Sequence, residues 1–278
     1  MSSILRVPCS YQGGKQRVAS QIVDVILNSS TDSNTQFYDL CCGSGAISIE
    51  LVNRGIDPTR ISMLDISSWG AFWSAIGSNT FNMDVFDQFL AELPSSQKDF
   101  KEHLSTLSKL PIDKHEVELY PILQACSFGG KQIYRKEKNW ANACFRDYWE
   151  PTETSIRRSP ANAKQPSPNE LRRRINTIVN KMSGVTCFNM DIMELLSIPF
   201  PTNSIVYVDP PYQHTTGYAY SFDLNFFVKR FREINNVPLF ISEGIPLSED
   251  TIMLNFGGAN GGISGARKNK HQEWLSRF

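Results

Sequence analysis

The six cysteines and four histidines of this chain form no Cys-x-x-Cys pair and no Cys/His ligand spacing, although Cys41 and Cys42 are adjacent. A metal site and dithiol redox chemistry are therefore not expected, and the thiols are read as free in a reducing cytoplasm. No apolar run approaches the length of a membrane span, and Met1 to Pro8 lacks the apolar stretch of a signal peptide. Net charge is missing too. The 28 basic residues balance 28 acidic ones, so the whole-molecule field points to no partner. No internal repeat is present. His103, His115, His214 and His271 are scattered with no nucleophile near them in sequence, and they read as structural or surface groups, with His214 close enough to Tyr212 to join a site wall.

The chain has 278 residues, 41% hydrophobic and 20% charged, enough for one large core or for a core with an inserted subdomain. Helical spacing runs from Gln16 to Leu27 and stops near Asn28-Ser29-Ser30. Gln36 to Leu40 reads as a strand entering Cys41-Cys42-Gly43-Ser44-Gly45, Ala46 to Asn53 as a helix, and Ile61 to Ile66 as a second strand that carries Asp65 at its end. Strand, glycine turn, helix, strand and terminal carboxylate make a βαβ unit. Asp65 stands at about the spacing from Gly45 at which an acid meets a ribose hydroxyl, but Ser48 replaces the third small residue of the dinucleotide pattern. The turn is thus either a cofactor cradle or a tight structural turn.

A second glycine cluster, Tyr11-Gln12-Gly13-Gly14-Lys15, lacks phosphate-loop spacing, and Gln16 sits where a Mg²⁺-binding hydroxyl belongs. Nucleoside triphosphate hydrolysis is disfavoured. Strand character returns at Thr186 to Asp191, Ser204 to Val208 and Val237 to Ser242. Asp191 ends the first of these, where it either reaches an adenine amino group or caps a helix over Ile192 to Leu196.

Between these parts lies a segment of different composition. Lys131 to Lys181 holds twelve basic and five acidic residues, net +7, with Trp140, Tyr148 and Trp149 interleaved and a proline-rich stretch from Ser159 to Pro168. A solvated face is the plain reading. The local imbalance within a neutral chain, together with the aromatics, favours nucleic acid. Lys131, Arg135, Arg157, Arg158, Arg172, Arg173 and Arg174 are the candidate phosphate contacts.

The sharpest feature is Asp209-Pro210-Pro211-Tyr212, directly after the apolar run Ser204 to Val208. The chain leaves the sheet at a carboxylate, two prolines hold it out of helix, and an aromatic ring follows. An acceptor-only carboxylate, the Pro210 carbonyl and a ring suit the amino group of a flat heterocycle, a nucleobase amine.

In this order the motifs resemble the Dam-like, alpha-group family of DNA adenine-N6 methyltransferases. Tyr11 to Lys15 is similar to the family's W-A-G-G-K, with tyrosine for tryptophan. Asp39 to Gly45 resembles its cofactor glycine loop, with Cys41 for phenylalanine, and Asp209 to Tyr212 its D-P-P-Y tetrad. Thr215 to Tyr218 with Phe222 resembles the loop beyond, and Pro238 to Ser242, Asn260 to Lys270 and Glu273-Trp274-Leu275 resemble the closing strands.

The resemblance implies a Rossmann-like α/β sheet of the class I S-adenosylmethionine-dependent kind, with residues 1–77 and 182–278 as catalytic core. Residues 78–181 would be an inserted, largely helical target-recognition region. It implies S-adenosylmethionine held by Tyr11, Lys15, Asp39, Gly43, Gly45, Asp65 and Asp191, and methyl transfer to a flipped-out adenine of double-stranded DNA by Asp209, Pro210 and Tyr212. The setting it implies is the cytoplasm of a prokaryotic or phage-infected cell. Alternatives are methylation of cytosine N4 or RNA adenine, and a non-catalytic DNA-binding module.

Overall fold

A computed structural model of the chain describes residues 4–30, 32–112, 114–149, 165–212, 220, 222–254 and 272–278. In chain order it runs through helix α1 (Ala19–Asn28), strand β1 (Gln36–Leu40), helix α2 (Ala46–Asn53), strand β2 (Ile61–Leu64) and helices α3 (Ser68–Gly77), α4 (Met83–Ala91), α5 (Gln97–Leu107) and α6 (Glu116–Cys126). A hairpin of β3 (Tyr134–Lys136) and β4 (Asn139–Ala141) precedes helix α7 (Pro168–Lys181). Strands β5 (Thr186–Phe188) and β6 (Ser204–Val208), helix α8 (Leu224–Ile234) and strands β7 (Leu239–Glu243), β8 (Thr251–Leu254) and β9 (Glu273–Arg277) complete it.

Seven strands form one sheet in the order β5-β2-β1-β6-β7-β9-β8. The first five are parallel, and β9 runs antiparallel to both of its neighbours. All five positions of β6 and of β7 are buried, as strands covered on both faces require. Side chains alternate between two apolar layers. Ile205 and Tyr207 face the larger one with α1, α2 and α3, while Val206 and Val208 face the smaller one with α8. This is the Rossmann-like α/β architecture expected from the motifs.

Chain connections leave β1 and β6 toward opposite edges of the sheet. Their carboxyl ends therefore flank the switch point, the crevice where ligands of such sheets bind. The register pairs Leu40 with Val208, and the Asp209 N–H donates to the Leu40 carbonyl at 3.1 Å. The glycine turn and the start of the proline tetrad are thereby fixed side by side.

Several boundaries differ from the sequence reading. Helix α1 begins at Ala19 rather than Gln16, after a turn in which the Lys15 carbonyl accepts from Val18 and Ala19 N–H. Strands β2 and β5 stop at Leu64 and Phe188, short of Asp65 and Asp191, and beyond them the Asn189 side chain bonds the Asp65 and Ser67 carbonyls. Strand β7 starts at Leu239 because Pro238 has no N–H, though its carbonyl still accepts from Val206.

The expected insertion lies in the crossover from β2 to β5 and packs into the larger apolar layer. Phe86, Phe100, Leu104, Tyr120, Ile122 and Ile175 join Ile61 and Met63 of β2 in one cluster. The interleaved tryptophans also belong there. Trp140 and Trp149 are each 7% exposed, and their indole N–H groups donate to Ser68 Oγ and the Pro166 carbonyl. Their spacing among charges reflects a buried face rather than a nucleic-acid platform. No helix among the described residues is long and apolar enough to cross a membrane.

Candidate active site

A cleft opens at the switch point. Tyr11 to Lys15, Gly43 and Ser44 of the glycine turn, Asp39, Asp65, Asp191, Tyr207, Asp209, Pro210, Pro211, Tyr220 and Phe222 line it.

The glycine turn is built around Asp65. Its Oδ2 accepts the Gly43 N–H at 2.7 Å, and its Oδ1 accepts the Ser67 N–H and hydroxyl at 2.8 and 2.5 Å. The Trp73 indole N–H donates to the Gly43 carbonyl at 2.9 Å. Gly45 has φ +75, and a Cβ there would stand 2.3 Å from the Trp73 ring. Only glycine satisfies both conditions. Burial raises the Asp65 carboxyl above its usual range although the bonds from Ser67 and Gly43 favour the anion.

Asp39 is 2% exposed, and its Oδ2 accepts from the Ser48 N–H and hydroxyl at 3.1 and 2.7 Å, which ties β1 to the first turn of α2. The serine that breaks the dinucleotide pattern is therefore the partner of this carboxylate. Burial pushes Asp39 up to about 6, with the Ser48 bonds opposing. Asp191 caps a short 3₁₀ helix, Ile192–Ser197: its side chain accepts from the Met193 N–H at 2.9 Å, and Glu194 answers on the Asp191 N–H. It also lines the cleft, so its two sequence readings do not exclude one another.

Tyr11 packs over the turn, its ring 3.1 Å from where a Gly43 Cβ would stand. Lys15 lines the same cleft and also reaches the tetrad. Its Nζ lies 2.6 Å from Asp209 Oδ1 and 3.6 Å from Glu273 Oε1, and 4.6 Å from the centre of the Tyr212 ring. The Tyr212 hydroxyl donates to Glu273 Oε1. Burial pushes the Asp209 carboxyl up to about 7; the Lys15 ammonium pulls it down and the Glu273 carboxylate pushes it up.

Glu273 carries no functional signal in the sequence beyond being an acid at the head of an apolar strand. Its partners are brought to it only by the pairing of β9 with β7. Trp73 and Asn189 carry no signal for the same reason, because the groups they bond lie 30 or more positions away.

The candidate phosphate contacts separate in space. Lys131 is exposed. Arg135 bridges Glu116 and Asn189 at 2.5 and 2.7 Å, which links the hairpin to the sheet. Arg172 and Arg173 are about half exposed on the polar face of α7, paired with Asp87 and Glu170. Arg174 is 13% exposed; it pairs with Glu170 and reaches the Val7 and Pro8 carbonyls. Arg157, Arg158, Thr215 to Tyr218 and Asn260 to Lys270 lie outside the described residues. Among the described residues no group of three or more His, Cys, Asp or Glu side chains is placed to hold a metal.

No curated protein matches the chain. A family model does: residues 11–234 match D12 class N6 adenine-specific DNA methyltransferase, a span that includes the glycine turn, the crossover and the tetrad. With most of its length so matched, and with a doubly wound sheet that brings those motifs to one cleft, the chain belongs to the D12 class N6 adenine-specific DNA methyltransferases, enzymes that methylate adenine in DNA.

Proposed function

We propose that the enzyme transfers a methyl group from S-adenosylmethionine to the N6 amine of an adenine flipped out of duplex DNA. The observation that carries this reading is the Asp209 carboxyl, its side chain 18% exposed, on the wall of the same cleft as Gly43 and Ser44 of the glycine turn. Family membership favours this methyl donor, which when bound supplies a methyl on a sulfonium.

The residues present fit that group. Gly43 lines the cleft, Asp65 Oδ2 keeps a lone pair for a ribose hydroxyl, and Tyr11 covers one side, while the missing Cβ of Gly45 makes room for the Trp73 ring that supports the turn. Asp39 supports the turn from within the protein through Ser48. Asp191 stands at the cleft wall, where the adenine of the cofactor would lie.

An adenine amine is a poor nucleophile because its lone pair is delocalised into the ring. Bonds from its two N–H groups to Asp209 and the Pro210 carbonyl localise that pair toward the methyl, and the carboxylate stabilises the positive charge that develops on nitrogen. Fixing the two reactants in line contributes the rest. The nitrogen gains a methyl and sheds a proton, and a carboxyl poised near 7 is matched to take it up. Tyr212 offers the ring on which the extruded base stacks.

Residues 78–181 serve as the target-recognition region between core segments 1–77 and 182–278. Lys131, Arg172 and Arg173 are its exposed cations among the described candidates, with Arg157 and Arg158 alongside them in sequence. Arg135 and Arg174 act instead as internal ties.

Incubation with labelled S-adenosylmethionine and unmethylated duplex DNA, followed by nucleoside analysis, tests the proposal. N6-methyladenine in the duplex supports it. Label confined to single strands, to RNA or to cytosine refutes it.

A further inference from the structure

Glu273 is 6% exposed, and a carboxylate so far from water needs partners. Among the described residues two stand against it, and both belong to the site. The Tyr212 hydroxyl donates to its Oε1, and Lys15 Nζ lies 3.6 Å away while also contacting Asp209 at 2.6 Å and the Tyr212 ring at 4.6 Å. Two carboxylates, one ammonium and one phenol thus gather at the end of β6, with Lys15 in contact with the other three. Its anchor is rigid: the register of β9 on β7, Trp274 opposite Glu243, sets where Glu273 stands. Tyr212, by contrast, lies four residues beyond the last position of β6, so its hydroxyl end is where the sheet takes hold of the ring.

We infer that Glu273 is a positioning residue for methyl transfer, fixing the Tyr212 ring and the Lys15 ammonium relative to Asp209. It does not touch the reacting atoms. The inference rests on Asp209 and Tyr212 forming the base pocket. Misplacing that pocket by an ångström is enough to slow the reaction by one or two orders of magnitude without weakening the cofactor site.

The test compares wild type with Glu273→Ala, Glu273→Gln, Tyr212→Phe and the Glu273→Ala/Tyr212→Phe double variant. Single-turnover methyl transfer at saturating DNA is measured per cofactor-binding site. Glu273→Ala and Tyr212→Phe should each lower the rate about tenfold or more, with S-adenosylmethionine affinity changed less than about twofold. The double variant should be no slower than the worse single one, because both changes break the same hydrogen bond. Glu273→Gln keeps an amide oxygen for the Tyr212 hydroxyl and should recover most of the rate. A purely structural role would lower thermal stability and leave the rate per site unchanged. A wild-type rate in Glu273→Ala, or in Tyr212→Phe where the alanine variant does not fold, overturns the inference and leaves the active-site reading standing. Wild-type protein that forms no N6-methyladenine overturns both.

Discussion

The Lys15 ammonium stands 2.6 Å from Asp209 Oδ1, with the two side chains 7% and 18% exposed. A glycine cluster near the start of the chain is thereby joined to a tetrad almost two hundred residues later. The pair also sets the charge state of the carboxylate on which the proposed chemistry depends. Burial disfavours the anion, Lys15 favours it, Glu273 disfavours it, and the balance falls near 7.

A pH dependence follows. Below about 7 the Asp209 carboxyl is neutral and a weaker acceptor for an amine, so the single-turnover rate should climb with pH through about 7 and then level off. Lys15→Met removes the cation that stabilises the anion, so the acid limb should move to higher pH. A limb that stays put would show that Lys15 does not set the ionisation. For stability the sign is opposite: the folded carboxyl holds its proton more tightly than the unfolded one, so Asp209 makes folding less favourable as pH rises from about 4 to 7.

Asp209→Ala should separate binding from chemistry. S-adenosylmethionine titration should give near-wild-type affinity, because the glycine turn and Asp65 are untouched. Methyl transfer should fall at least about 10²-fold, the usual cost of losing a group aimed at developing charge. Near-normal turnover would remove Asp209 from the mechanism.

Gly45→Ala forces a Cβ to within 2.3 Å of the Trp73 ring at φ +75. The ring cannot swing aside without giving up its bond to the Gly43 carbonyl. A loss of about 2 kcal/mol or more in urea denaturation is expected, along with weaker cofactor binding. Wild-type stability would mean that the turn yields more readily than its close packing on Trp73 suggests.

Arginines of α7 should divide by exposure. Arg172 and Arg173 hold solvent-exposed ion pairs of the kind worth less than about 1 kcal/mol, so they can exchange a carboxylate for a phosphate. Alanine at either should weaken DNA binding and reduce the salt slope by about one for each phosphate left without its cation. Arg174→Ala should instead lower the melting temperature, because it ties α7 to the Val7 and Pro8 carbonyls. An unchanged salt slope in the first two variants would place DNA binding on another surface.

Much of this protein is legible along the chain because the informative patterns are local. A strand, a glycine turn and a helix within eighteen residues, followed by a second strand, declare a βαβ unit, and β1 and α2 span the residues that the spacing predicts. Asp209 to Tyr212 stands out because two prolines bracketed by an acid and an aromatic leave few backbone options. The features that mislead are those whose meaning depends on a distant partner. Trp140 and Trp149, spaced among cations, suggest a nucleic-acid surface, yet the crossover folds them into the layer beneath β2. Arg135 suggests a phosphate contact and is held by Glu116 and Asn189.

Composition, local spacing and motif order therefore determined the fold class, the glycine turn and the tetrad, since each is encoded by neighbours in sequence. Tertiary structure alone decided that Lys15 pairs with Asp209, and that Ser48 answers Asp39. It alone brought Glu273, from the last strand of the chain, against Tyr212. The reason is physical: which charges and hydroxyls meet in a buried cleft is fixed by sheet order and register, through pairings between residues far apart in the chain.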